Sequence, residues 1–84
     1  MSTEEIHHTL GELRIALDRE HFDHEGVNNA LTSMEDKLRE ESFMSGDEYL
    51  VHELKEGLKH FEEEHPDITA LVGRLADLMA KMGI

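Results

Sequence analysis

Seven histidines in 84 residues are the most unusual feature of the composition, and two of them share a helical spacing with a glutamate. His52, Glu56 and His60 are spaced i, i+4 and i+8, so a helix would place them along one face. Neutral imidazole and carboxylate are suitable ligands for zinc, nickel or copper. Positions i and i+8 are about 12 Å apart along a helix axis, so one ion cannot bind both histidines. We therefore predict a solvated helix face and no metal site, with these three residues as the metal candidates should one exist.

Motifs for catalysis are missing from the chain. The segment from His52 to Glu56 resembles H-E-x-x-H without its second histidine, and that histidine is a zinc ligand in metalloproteases. The sequence contains no G-x-S-x-G motif, no phosphate-binding glycine loop and no G-x-G-x-x-G motif. A helical domain of this size also has little room for a pocket that could perturb a carboxylate. We expect no enzymatic activity and no cofactor.

Length and composition indicate one small domain, residues 1–84. The absence of cysteine excludes disulfides and thiolate metal sites and fits a reducing compartment. The N-terminal segment is acidic and does not resemble a signal peptide. No apolar run approaches the roughly 20 residues of a membrane span. The expected location is the cytoplasm, without membrane contact.

The charge is strongly negative and unevenly distributed. Twenty acidic and eight basic residues give a formal net charge of −12, which disfavours nucleic acid because phosphate contacts need clustered Lys and Arg. A basic protein is a more natural partner. Residues 65–84 differ from the rest, because their two acids and two bases cancel: Asp67, Asp77, Arg74 and Lys81.

Apolar residues recur every three or four positions, a pattern typical of amphipathic helices. In the first half of the chain this pattern predicts helices over about Thr3–Glu20 and Glu25–Glu41. A third helix is expected to begin near Ser45 and to end at about Glu64, because Pro66 biases the preceding residue away from helix. A fourth then ends near Gly83. The predicted fold is all-α, a small bundle of four short amphipathic helices, or of three with a proline kink at Pro66.

Two apolar residues lie away from the main stripe of the first helix. Ile15 and Phe22 fall opposite the predicted core face. If the helix continues to Phe22, the pair forms an outer apolar strip that could contact another chain. If the helix ends before Phe22, that ring can fold back onto the core instead.

The last helix has the widest apolar face of the four and no net charge. One interpretation is that it forms the centre of the core. Another is that part of its face pairs with a second copy, since symmetric dimers are the commonest homo-oligomers. Both interpretations can be true at once. The second interpretation predicts a dimer interface at Leu71, Leu75, Leu78 and Met82.

The C-terminal segment contains Phe61-Glu62, then His65-Pro66, and it ends in Met82-Gly83-Ile84. In these features it is similar to a family of short bacterial proteins of unknown function. In that family a Phe-Glu-rich His-Pro step leads into a helix ending in Met-Gly-Ile. The matching positions in this chain are Phe61, Glu62, His65, Pro66, Leu71, Leu75, Ala76, Leu78, Met82, Gly83 and Ile84. The resemblance covers about the last 24 residues, and it implies a small cytoplasmic bacterial helical protein without assigning an activity.

Three hypotheses about function follow from these patterns. The first is an acidic helical interaction or structural protein that self-associates, most simply as a dimer. The second is a histidine-rich module that responds to metal ions or pH. The third is an acidic antagonist of a basic protein partner.

Overall fold

Four α-helices and one short 3-10 turn form the fold, confirming the predicted all-α bundle. The computed structural model describes residues 2–84. The helices are α1 (Ser2–Arg19), α2 (Glu25–Glu40), α3 (Tyr49–Leu58) and α4 (Pro66–Lys81), and the 3-10 turn is Glu62–Glu64. Among these residues no helix has both the length and the apolar content needed to cross a bilayer.

The helices pack as two pairs. Helix α1 packs mainly against α4, and α2 packs mainly against α3, while smaller contacts join the pairs. All four helices supply side chains to one continuous core. The largest fully buried core residues are Ile6, Leu10 and Leu13 of α1, Leu31 and Met34 of α2, Leu50, Leu54 and Leu58 of α3, and Ile68, Leu75 and Met79 of α4.

The third helix is shorter than the sequence pattern predicts, because it begins at Tyr49 instead of near Ser45 and ends before Glu64. It ends at Leu58, and the chain then tightens into the 3-10 turn before His65 leaves helical geometry with φ −135° and ψ 76°. Pro66 explains this break, because its ring disfavours helical geometry at the preceding residue and is itself well placed at the first position of the next helix. The four-helix alternative is therefore correct, and α3 and α4 do not form one kinked helix.

Left-handed residues end three of the helices. Gly83 follows α4 with φ 77°, and the N–H of Ile84 reaches back to the carbonyl of Met79 over 3.0 Å. The same arrangement follows α1 at His21 (φ 56°) and α2 at Glu41 (φ 53°). A left-handed conformation costs a non-glycine residue about 1 kcal/mol, so these two turns hold strain that the surrounding packing offsets.

A helix end and a loop are joined by a buried carboxylate. Asp47 is buried, and its Oδ2 accepts a hydrogen bond from the backbone N–H of Met44 over 2.9 Å. The Nζ of Lys37, near the end of α2, lies 3.4 Å from Oδ1 of the same side chain. Both oxygens thus have a partner, as buried charge requires.

Helices α2 and α3 are in close contact at Gly57. A Cβ built on Gly57 would lie 2.3 Å from Cγ2 of Val27, a side chain with no exposed surface. Glycine in mid-helix lowers helix stability relative to alanine, but here any side chain would force two helices apart. The position of α2 on α3 therefore depends on the missing side chain at residue 57.

We expect Gly57→Ala to lower the free energy of unfolding by about 1–3 kcal/mol, because the added methyl overpacks the contact with Val27. Gly73→Ala is the matched control, since a Cβ at Gly73 has no neighbour within 4 Å. It should raise the free energy of unfolding by about 0.5–1 kcal/mol through helix propensity. Urea melts of both variants test the difference, and a stabilised Gly57→Ala protein would contradict the close approach.

Truncation of a core leucine should be far more damaging than truncation of a surface lysine. Leu75 has no exposed surface, so Leu75→Ala should lower the free energy of unfolding by about 2–5 kcal/mol. The exposed Lys55 provides the comparison, and Lys55→Ala should change the free energy of unfolding by less than about 0.5 kcal/mol. Equal effects in urea melts would show that the buried faces are assigned wrongly.

Candidate functional site

The histidine series that suggested metal binding lies on the surface. His52 and Glu56 lie on α3, His60 follows the end of that helix, and all three are exposed. Within residues 2–84 no three His, Cys, Asp or Glu side chains come close enough together to hold a metal ion. The fold therefore does not assemble His52, Glu56 and His60 into a site.

Two other histidines shape the connection between α1 and α2. His21 adopts the left-handed conformation that ends α1. The Nδ1 of His24 accepts a hydrogen bond from the N–H of Val27 over 3.2 Å and so caps α2. A side-chain acceptor at this position satisfies one of the N–H groups that the start of a helix leaves without a backbone partner.

His65 joins three elements at the corner between the 3-10 turn and α4. Its Nδ1 lies 3.0 Å from the carbonyl oxygen of Phe61, and its ring stacks on the Phe61 ring at 3.9 Å between centroids. Its Nε2 lies 3.2 Å from Oε1 of Glu20, just beyond α1.

The Phe61 ring also contacts Phe22, at 4.6 Å between centroids. Because α1 ends at Arg19, Phe22 packs against the core, as the second of the two alternatives predicted.

The surroundings of His65 favour its protonated form. A backbone carbonyl only accepts hydrogen bonds, so Nδ1 must carry a proton to bond the carbonyl oxygen of Phe61. A carboxylate is also only an acceptor, so Nε2 must carry a proton to bond Glu20. The pKa of His65 is raised above its usual 6.5, chiefly by the hydrogen bond to Phe61. Partial burial lowers the pKa, whereas the hydrogen bond and charge of Glu20 and the charge of Asp67 raise it further.

The predicted interface of α4 is largely covered within the chain. Leu75 has no exposed surface and Leu78 has only 5 %, so neither can lie on a surface offered to a partner in this fold. The apolar face that they share belongs to the core. Leu71 and Met82 are partly exposed but open onto different grooves, Leu71 beside α1 and Met82 beside Phe43. Of the four proposed interface residues, these two stay candidates.

An apolar groove of about 440 Å³ runs between α1 and α4. Ile15 lies in it with 60 % of its surface exposed, beside Leu71 of the facing helix. The small side chains Ala16 and Ala70 form the rest of its apolar lining. Ile15 thus lies outside the core, as the sequence pattern predicted, and its apolar neighbour comes from α4.

Charges of both signs border this groove in equal number. They are Glu12 and Arg19 of α1 and Asp67 and Arg74 of α4. Within residues 2–84 neither arginine forms an ion pair, and Glu12 pairs only with the exposed His8, at 2.9 Å. On a protein with a net charge of −12, this face is locally neutral. We define Glu12, Ile15, Arg19, Asp67, Leu71 and Arg74, with the two alanines between them, as the α1–α4 face.

A second groove, of about 640 Å³, lies between α3 and the end of α4. Its polar side chains include Glu48, His52 and Lys55, and all three are exposed to solvent. This groove contains no buried acid, base or nucleophile, the kind of group on which catalysis in a pocket depends. The α1–α4 face, with its exposed apolar centre, is the stronger candidate site.

The interactions of His65 predict its titration. Glu20→Gln should lower the pKa of His65, because the carboxylate that favours the imidazolium is lost, and NMR titration of the imidazole measures the change. A raised folded pKa stabilises the fold fully below the unfolded value of 6.5, and this contribution declines as pH rises through the folded pKa. The destabilisation by Glu20→Gln should therefore be larger near pH 6 than at pH 9.

Glu63→Gln is the matched control, because Glu63 is exposed and forms no ion pair within residues 2–84. It should leave the titration of His65 nearly unchanged. A His65 pKa at or below 6.5, or one that is insensitive to Glu20→Gln, would contradict the assigned contacts.

Comparison with known proteins places the chain in a family without assigning an activity. No curated protein and no solved structure matches it. A family described as a domain of unknown function, DUF4404, matches residues 3–84. The match includes residues 3–59, the part of the chain in which the resemblance to short bacterial proteins is limited to length and helical pattern. Because the match spans nearly the whole sequence, the chain belongs to the DUF4404 family.

Proposed function

We propose that this protein is a small non-catalytic interaction domain that acts by self-association, most simply as a symmetric dimer. The observation that carries the proposal is the exposure of Ile15 in a groove beside Leu71, on a face without net charge. A single exposed apolar side chain needs no explanation. An apolar groove bordered by both acids and bases has the arrangement of an interface, in which a polar rim surrounds an apolar centre.

Charge limits where two copies can meet. The outer surface of α3 and the 3-10 turn exposes Glu53, Glu56, Glu63 and Glu64, and two such surfaces would repel each other. The α1–α4 face avoids this repulsion because its two acids and two arginines cancel. Self-association through this face leaves the acidic surface in solvent, where it favours solubility.

The size of the molecule is compatible with such a contact. A standard interface buries roughly 800 Å² on each partner, and the molecule measures 31 × 21 × 19 Å between its outermost Cα atoms. A contact of that area would therefore extend along α1 and α4 beyond the residues that line the groove. A chain this short buries a smaller fraction of its unfolded surface than a larger domain does, so burial against a second copy would add to its stability.

The other hypotheses stay predictions. A basic protein partner would find the exposed glutamates of α3 and the 3-10 turn free of ion pairs within residues 2–84. A bacterial origin and a cytoplasmic location likewise stay predictions. The metal-responsive module has the weakest support, because the histidines of α3 are not brought together with further ligands.

Size-exclusion chromatography with light scattering tests self-association. We expect a mass about twice that of the 84-residue chain at high micromolar concentration. Ile15→Ser should shift the protein towards the monomer, because it removes the apolar centre of the face. Met44→Ser is the matched control, since Met44 is equally exposed, at 62 %, and lies outside the groove. A monomer at every concentration for the unaltered chain would contradict the proposal.

A further inference from the structure

The antiparallel packing of α1 and α4 determines which charges lie side by side. The contact between Glu20 and His65 places the end of α1 at the start of α4. Both helices rise about 1.5 Å per residue, so residues equally far from this contact lie level with each other. To within one residue, Arg19 is therefore level with Asp67, and Glu12 is level with Arg74.

The charges on each helix also share one spacing. Arg19 is seven positions after Glu12, and Arg74 is seven positions after Asp67, which is about two helical turns or about 10 Å in both cases. The midpoints of these two intervals lie level with each other, at Ile15 on α1 and Leu71 on α4. The α1–α4 face therefore has an apolar centre and four charged corners, in which neighbouring corners always differ in sign.

A face of this kind is complementary to itself. When two copies meet face to face, the two-fold axis lies in the plane between them. If the axis crosses the helices, Glu12 meets the partner's Arg19 and Asp67 meets the partner's Arg74. If it runs along them, Glu12 meets the partner's Arg74 and Arg19 meets the partner's Asp67. Every corner meets an opposite charge in both cases, and the apolar centres meet each other.

We infer that the partner of the α1–α4 face is a second copy of this chain, held by the charges of Glu12, Arg19, Asp67 and Arg74. This rests on the proposed self-association and specifies its surface and its means of recognition. A uniformly basic or acidic partner would place like charges against two of the four corners, which disfavours such proteins. Ala16 and Ala70 have small side chains, which allow the two copies to approach closely at the centre of the face. None of the four charged side chains is buried, so all four can reach a partner.

Two charge variants test the inference. Glu12→Lys with Asp67→Lys makes all four corners basic, and Arg19→Glu with Arg74→Glu makes all four acidic. Each variant alone should lose the dimer at concentrations where the unaltered chain is dimeric, because every corner then meets a like charge about either axis. An equimolar mixture of the two should form a heterodimer, because every corner again meets an opposite charge. Light scattering measures all three masses, and circular dichroism confirms that the helices are retained.

Matched controls separate this recognition from net charge. Glu53→Lys with Glu56→Lys makes the same change in charge on α3, and Lys55→Glu with Lys59→Glu makes the opposite change, all at exposed positions. Both controls should stay dimeric.

If the unaltered chain is monomeric, the proposed function itself fails. If it is dimeric and both corner variants still form homodimers, self-association stands and this inference is overturned. Absence of a heterodimer in the mixture would overturn it as well.

Discussion

Helix α4 can cover the core only because the chain reverses direction at His65. Pro66 prevents α3 from continuing, and the corner is then held by the contacts of the His65 ring with Phe61 and Glu20. The contact with Glu20 lies where the end of α1 meets the start of α4, and it marks the register in which the apolar faces of these two helices pack. The depth at which Leu75 is buried, the position of Ile15 beside Leu71 and the order of charges on the α1–α4 face all depend on this one register.

The second helix pair depends on a different constraint. Helix α2 starts from the His24 cap and lies close enough to α3 that only glycine fits at residue 57. The bidentate ion pair between Arg14 and Glu35, with both N···O distances at 2.9 Å, joins α1 to α2 at a partly exposed position. Exposed ion pairs typically contribute about 0.2–1 kcal/mol each, so the apolar core common to both helix pairs provides most of the cohesion.

The sequence pattern predicted the positions of the helices well, but it did not predict which helix buries which apolar residues. Periodicity located α1 and α2 to within a residue or two at each end, because one side of each helix faces the core. It overestimated α3, since residues 59–64 keep helical composition while the corner at His65 tightens them. Leu75 and Leu78 looked available to a partner because a wheel counts apolar positions but does not reveal which helix covers them.

The candidate site was only half visible in the sequence for the same reason. Ile15 stood out as an apolar residue opposite the core stripe of its own helix. Its neighbours Leu71 and Arg74 are more than 50 positions away in the chain, and only the antiparallel register of α1 and α4 brings them together. The left-handed turns at His21 and Glu41 were equally hidden, because neither residue type is the glycine that usually marks such a position.

The pairing of α1 with α4 also makes the topology of the bundle nearly circular. Thr3, near the start of α1, and Met82, just after α4, line the same groove, so the first and last helices of the sequence lie side by side and antiparallel along their whole length. Every helix therefore has its sequence neighbours, taken cyclically, as its packing neighbours. The architecture is a closed ring of four helices. Helices α4 and α1 pack against each other as neighbours in this ring, although no loop connects them.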